Sequence, residues 1–391
     1  MRVLTFTTLY PNAAQPQHGV FVENRLRHLV GSGQVEARVV APVPWFPFDH
    51  PRFGDYAAWA RVPAEENRHG LTVRHPKYLL LPKVNMTWAP LSIYLAARGA
   101  VARLLAEGFD FDLIDAHYFY PDGVAAALLA RRFGKPFTVT ARGTDINLVP
   151  AYALPRRMIQ WTAGQAAGMI TVCQALKDEL CALDVAPNHV RVLRNGVDLK
   201  HFSPRDRAAA RRRLGIDGPA IVSVGALIER KAHDITIGAL PRLPGVTLLI
   251  AGQGPERGRL EALAQRLGVA DRLVLLGQQG QDALPDIYAA GDVSVLASSR
   301  EGWANVLLEA MACGTPVVAS NVWGTPEVVA APEAGLLMAA RTPEACAQAL
   351  AQLLADLPDR AATRRYAEQF SWDATTRGQL DLFGDILRRP R

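Results

Sequence analysis

Along nearly the whole chain, short apolar runs alternate with stretches in which apolar residues recur every three to four positions. That βα alternation predicts parallel sheets covered by helices. RVLTFT at Arg2 to Thr7 reads as a buried first strand, GVFVENRLRHLV at Gly19 to Val30 as a first helix, and Ala37 to Ala41 as a second strand. Further strands are predicted at Leu113 to Ala116, Phe137 to Thr140, Met169 to Val172, Ala220 to Val224, Thr247 to Ala251, Leu273 to Gly277, Val293 to Ala297 and Pro316 to Ala319. Helices are predicted to start at Gly123, Cys173 and about Ala304, with a later one over Thr342 to Leu357 and a last one from Phe370 to Trp372 onward. Two segments break the rhythm. Pro42 to Gly70, rich in proline and aromatics, reads as an irregular insertion of the kind that forms a lid or binding wall, and Lys200 to Gly218 reads as a linker. At 391 residues the chain predicts two α/β domains, each able to bury its own core.

The chemistry concentrates in Val293 to Val329. An apolar run, a polar turn from Ser298 to Trp303 and a helical pattern from Val306 to Cys313 make a strand–loop–helix unit, followed by another strand. In such sheets, ligands sit beyond the carboxyl ends of the strands. Glu301 precedes the helix and Glu309 lies more than a turn inside it, which separates the carboxylates by ~8 Å or more at a rise of about 1.5 Å per residue. That is too far to share a proton. It suits an elongated ligand with hydroxyls at two places and an anion between them, facing the free N–H groups of the helix start. A sugar nucleotide has that layout. Taken singly, the two glutamates read equally as a solvated loop residue and a surface helix position.

EGWANVLLEAMACGTPVVAS followed by GTPEVV resembles the retaining glycosyltransferases of family 4 (group 1), in which two glutamates are separated by seven residues. The resemblance implies a GT-B fold, with two doubly wound Rossmann-like domains facing across a cleft. Residues 1–199 would form the acceptor side, rejoined by a last helix over 371–391, and residues 200–370 the donor side. It implies that Glu301 contacts donor sugar hydroxyls, that Glu309 contacts the ribose, and that the backbone around Asn305, Val306 and Leu307 faces the diphosphate. Lys231 and Arg230, in the GALIERKAHD turn, would neutralise the phosphates. The family usually carries arginine where Ala226 stands. Gly19 would let the first loop approach the phosphates, and Gly277 would border the base. His117 matches a histidine beside the donor sugar, and Asp145 follows the pattern. Arg142 stands where histidine is frequent and would offer a fixed charge instead. The implied catalytic set is His117, Glu301 and Lys231, and Glu327 would be structural.

The activity implied is sugar transfer, with retention, from a UDP- or GDP-sugar to a glycan or lipid-linked acceptor, with no cofactor required and no metal. A sugar-nucleotide 2-epimerase and a non-catalytic partner subunit are the alternatives. The net charge of +6 falls in the first half, which has 22 Lys and Arg against 16 Asp and Glu in residues 1–200. That excess would suit an anionic acceptor or membrane surface, although scattered solvated arginine is the commoner source of such a balance. No nucleic-acid motif or aromatic-interleaved basic stripe appears. Asp110-x-Asp112 imitates a metal motif of a different transferase fold, but sits at the amino edge of a predicted strand. Tyr78 to Tyr94, with Lys83 and Asn85 among apolar residues, is a candidate membrane or core surface. Cys173, Cys181, Cys313 and Cys346 form no C-x-x-C pair, which fits a reducing cytosol. With no signal-type core at Met1 to Tyr10 and no run of 18 apolar residues, a cytoplasmic protein is expected, peripheral at the inner face of the membrane at most.

Overall fold

The computed structural model describes residues 1–80 and 85–389, so Lys83 lies outside the described residues. The chain forms two compact units, one of residues 1–194 with 373–391 and one of residues 195–372.

In the first unit the strands of the main sheet are β1 (Arg2–Phe6), β2 (Glu36–Val40), β3 (Glu65–Arg68), β4 (Leu71–Arg74), β5 (Leu113–His117), β6 (Phe137–Ala141), β7 (Gly168–Thr171) and β8 (Val190–Val192). They form one sheet in the order β8-β7-β6-β5-β1-β2-β4-β3, parallel except for β3, which runs antiparallel to β4. The helices are α1 (Val20–Gly31), α2 (Asn85–Ala106), α3 (Val124–Phe133), α4 (Ala153–Gln165) and α5 (Gln174–Cys181). β5 and β6 are buried at every position, as strands covered on both faces must be. The chain winds outward from β1 to β2 and later returns to β5 on the other side of β1. The carboxyl ends of β1 and β5 are therefore a switch point, where such sheets bind ligands.

The second unit holds α6 (Arg207–Leu214), β9 (Ala220–Val224), α7 (His233–Ala239), β10 (Thr247–Ala251), α8 (Arg257–Arg266), β11 (Leu273–Gly277), α9 (Leu284–Ala290), β12 (Val293–Leu296), α10 (Asn305–Ala312), β13 (Val317–Ser320), β14 (Gly335–Met338), α11 (Pro343–Ala355) and α12 (Arg360–Glu368). Its parallel sheet runs β11-β10-β9-β12-β13-β14, with the switch between β9 and β12. The final helix, α13 (Trp372–Arg388), buries Leu380 and Phe383 in the core of the first unit with Leu26, Val39 and Leu113.

Two expectations need correction. The insertion of residues 42–70 is not irregular throughout: it contains a short helix (Asp55–Ala60) and β3. The segment read as a linker contains α6, whose N-cap Asp206 accepts from the Ala209 N–H and whose end is a left-handed Gly215. RAAARRRL has too few apolar residues to show a stripe, so capping carries the signal instead. Similarly, α12 follows the cap of Asp359 on the Ala362 N–H. Met86–Ala106 is apolar and long enough to cross a membrane by length and composition. One face of it, Ala89, Ile93, Ala97, Val101 and Leu104, is buried in the unit, while Met86, Leu91 and Leu95 are exposed.

Candidate active site

At the switch point of the second sheet, three turns are bonded to one another. Gly225 N–H donates to Ala251 O, Leu227 N–H to Gln253 O, and Gly252 N–H to Gly277 O. The turns approach so closely that a Cβ on Gly252 would lie 1.8 Å from Gly225 O, and one on Gly254 would lie 2.3 Å from Leu227 O. Only glycine fits at either position. Gly277 differs, because its φ of 69° demands glycine while nothing crowds it.

Above this floor the turn Glu229–Lys231 brings two cations to the loop after β12. Lys231 Nζ donates to Glu301 Oε1 at 2.7 Å, and Arg230 Nη1 lies 3.6 Å from the same oxygen. Glu301 is 8% exposed. Burial alone would raise its pKa, but the Lys231 charge and hydrogen bond, followed by Arg230, hold it below the ordinary carboxylate value. The aliphatic stem of Lys231 lies over Gly225, which aims the ammonium along the turn. On α10, Glu309 accepts from the Tyr288 hydroxyl at 3.0 Å. Burial pushes its carboxyl up to about 7 against the smaller opposing effects of Tyr288, His201 and Lys231. Asn305 opens α10, and its side-chain oxygen accepts from Asn195 Nδ2 at 3.3 Å. The Asn305 N–H bonds Trp303 O and the Leu307 N–H bonds Ala304 O, so two of the three amides expected to face a diphosphate, those of Asn305 and Leu307 but not Val306, are engaged within the chain.

In the first unit, Gly19 takes φ 71°, and a Cβ there would sit 2.3 Å from the Leu9 backbone. Its close approach is therefore to its own chain, where it lets α1 start against the loop that follows β1. That loop is pinned by Asp122, whose carboxylate accepts from the Thr8 N–H at 2.6 Å and from the Thr7 and Thr8 hydroxyls. Burial lifts the Asp122 carboxyl to about 7. Asp145 accepts from the backbone N–H groups of Phe119, Arg142 and Gly143, tying the end of β5 to the end of β6. Between these anchors Tyr118 holds φ 85°, a conformation that costs a bulky residue roughly 1–3 kcal/mol and persists only where its surroundings enforce it.

His117 ends β5 and is fully buried. Its Nδ1 lies 2.6 Å from Arg142 Nη2, and its Nε2 lies 3.4 Å from Asp115 Oδ2. Desolvation lowers its pKa to about 4 despite Asp115, with Arg142 adding to the depression. The fixed charge expected at Arg142 is thus a guanidinium buried against an imidazole, with its Cζ 5.4 Å from the Phe21 ring centroid. Asp110 pairs with Lys135 and Asp112 accepts from the Arg2 N–H, which fixes both at the amino end of the sheet. Among the described residues, no group of three or more His, Cys, Asp or Glu side chains could hold a metal ion.

Sequence reading missed Tyr288, Asp122, Asp115, Arg25 and Gln379. Asp115 was findable, since two residues before His117 on a strand puts both on one face. Gln379 gave no local sign.

Comparison with known proteins agrees with this architecture. HepE from Anabaena, solved in complex with UDP, superposes with a TM-score of 0.75 at 19% identity over 98% of this chain and 100% of that one, which marks the fold as GT-B with two Rossmann-like domains. Residues 206–370 match the family Glycosyl transferases group 1, residues 19–201 match Glycosyltransferase Family 4, and the chain belongs to this glycosyltransferase family. Among relatives, the D-inositol 3-phosphate glycosyltransferase of Saccharomonospora viridis is 33% identical over 83% of this chain and 82% of its own length. That of Mycobacteroides abscessus is 35% identical over 71% of this chain, which spans 66% of the relative's length.

Proposed function

We propose that the chain moves a sugar from a nucleoside diphosphate sugar, UDP- or GDP-linked, to an acceptor hydroxyl with retention at the anomeric carbon. The observation that carries this reading is the Lys231–Glu301 pair at 2.7 Å. It sets a cation for a departing diphosphate beside a carboxylate for sugar hydroxyls, while Glu309 serves the ribose. In the step, the bond between the anomeric carbon and the β-phosphate oxygen breaks and the acceptor oxygen bonds the same face of that carbon. The released phosphate takes the acceptor's proton. Lys231 and Arg230 stabilise the charge that develops on the phosphate, the largest contribution a fixed site can make. Two cations supply the neutralisation, so the reaction needs no metal. The Anabaena neighbour bound to UDP supports a nucleotide donor.

The acceptor is a glycan or lipid-linked intermediate of cell-surface polysaccharide synthesis, met at the cytoplasmic face of the membrane. In support, Trp45, Phe48, Tyr56, Leu79, Met86, Leu91 and Leu95 are all exposed. The Trp45 N–H bonds Tyr78 O and the Leu79 N–H bonds Ser92 Oγ, which joins these segments into one apolar neighbourhood. The test is incubation with UDP-, GDP- and ADP-sugars, with and without EDTA, following nucleotide release by mass spectrometry. One donor turned over, insensitive to EDTA and lost in Lys231→Ala and Glu309→Ala, is the expected result. An altered free nucleotide sugar would indicate an isomerase instead. Silence with every donor, even with membrane lipid extract as acceptor and no nucleotide bound, rejects the proposal.

A further inference from the structure

The last helix reaches the carboxyl end of β5 through a continuous chain of buried side chains. Arg25 Nε on α1 donates to Gln379 Oε1 at 2.8 Å, and Gln379 Nε2 donates to Asp115 Oδ2 at 2.8 Å. The other Asp115 oxygen accepts from the Thr138 hydroxyl at 2.9 Å. Asp115 Oδ2 faces His117 Nε2, and His117 Nδ1 faces Arg142 Nη2. Chemistry fixes the direction of every link. A guanidinium only donates, so Nδ1 must present its lone pair; a carboxylate only accepts, so Nε2 must carry the proton. The ring is therefore neutral, since an imidazolium would set an N–H against Arg142.

We infer that Gln379 is a positioning residue for the transfer reaction: by holding the Asp115 carboxylate it fixes His117 as the Nε2–H tautomer, and His117 in turn holds Arg142 at the carboxyl end of β6. The inference rests on the proposed transferase reading of the chain. A residue kept for packing alone would be apolar, as its neighbours Leu380, Leu382 and Phe383 are. An amide is needed because it offers Asp115 a donor and Arg25 an acceptor at once, which keeps the Arg25 charge from taking Asp115 for itself. Without it, Arg25 pairs directly with Asp115 and draws the carboxylate off His117. The tautomer is then no longer specified, and the acceptor for Arg142 is lost. His117 thereby acts through Arg142, the outer member of the chain.

The test is nitrogen-15 spectroscopy of the histidine rings in the full chain, with His117 assigned by its absence in His117→Gln. Expected is a single neutral Nε2–H ring at pH 7 in the unaltered protein, and a detectable Nδ1–H fraction in Gln379→Met. On whichever donor the nucleotide-release screen identifies, Gln379→Met lowers kcat by about tenfold with donor KM held within about twofold. If Gln379→Met does not fold, Gln379→Glu takes its place with the same outcomes, because it keeps the acceptor for Arg25 and loses the donor to Asp115. An Nδ1–H or protonated His117 in the unaltered chain overturns the inference with no variant needed. So does a variant that keeps one tautomer and full kcat. Absence of turnover by the unaltered chain with every donor refutes the proposed function instead, while the ring spectra still decide the tautomer.

Discussion

Replacing Lys231 by alanine separates what the Lys231–Glu301 pair does for the fold from what it does for catalysis. In the folded chain Glu301 is nearly enclosed, with Lys231 at 2.7 Å and Arg230 at 3.6 Å. Removing Lys231 leaves a carboxylate whose remaining cation is farther away and a third exposed. Breaking a buried pair from one side costs roughly 3–5 kcal/mol. Because Arg230 can close part of the gap, the low end applies, about 3 kcal/mol, or a loss of about 6–12 °C in Tm for a unit of this size. Removing Glu301 as well eliminates the orphaned charge, so Lys231→Ala/Glu301→Ala should be no less stable than either single variant. Activity behaves differently. The Lys231 ammonium is needed for the leaving group whether or not Glu301 is present, so kcat falls by roughly 10²–10³ in Lys231→Ala and the double variant recovers none of it. Urea titrations of the four proteins give the stability cycle, and nucleotide release gives the kinetic one. Additive stability losses would show that the two side chains are not coupled as the distances require. Turnover in Lys231→Ala close to that of the parent would refute the catalytic assignment.

Four further outcomes are expected. Gly252→Ala, whose Cβ would overlap Gly225 O at 1.8 Å, forces the floor of the donor site apart and should cost at least about 3 kcal/mol by urea titration; an unchanged midpoint would show that the turns are not in register. Asp122, with its carboxyl near 7 in the folded state and about 3.9 unfolded, keeps its proton on folding, so stability falls as pH rises through this window. Asp122→Asn should therefore match the parent near pH 4 and exceed it by roughly 4 kcal/mol at pH 8, a difference that Tm across pH would reveal. Glu309, pushed up to about 7, must be ionised to accept two ribose hydroxyls, so UDP should bind more weakly at pH 6 than at pH 8 by calorimetry, and Tyr288→Phe, which removes a hydrogen bond favouring the carboxylate, should shift that dependence upward. Finally, liposome flotation with anionic lipid should be reduced by Trp45→Glu and Leu91→Glu, and a parent protein that does not float rejects the membrane role.

The βα alternation was legible because the central strands of both sheets, such as β1, β5, β9 and β12, are short apolar runs, whereas the edge strand β3, EENR, carries no such signal. Glu301 and Glu309 could be read from their spacing together with the family resemblance, since the loop and helix that carry them are contiguous in sequence. Among the elements that escaped, α6 and α12 are held by caps and by arginines such as Arg364, which donates to the carbonyls of Phe202, Ala312 and Leu199, so their stability comes from distant partners and not from an apolar stripe. The same reason hid the surroundings of His117. Strand position and resemblance pointed to the histidine, and Asp115 shares its strand face, but Arg142 comes from the end of β6 and the Asp115 carboxylate is held by Gln379, and no local pattern announces a contact across 264 positions of chain. Arg142 illustrates the limit: its charge was readable, while its burial against an imidazole is a property of the folded unit.

The central claim is that this chain transfers a sugar with retention, using fixed charges and no covalent nucleophile. The most direct measurement is proton NMR of the product formed from the nucleotide sugar it turns over, read at the anomeric position at early times. A product with the anomeric configuration of the donor is what the account predicts. An inverted product, or a nucleotide sugar changed at another carbon with no acceptor consumed, would contradict it.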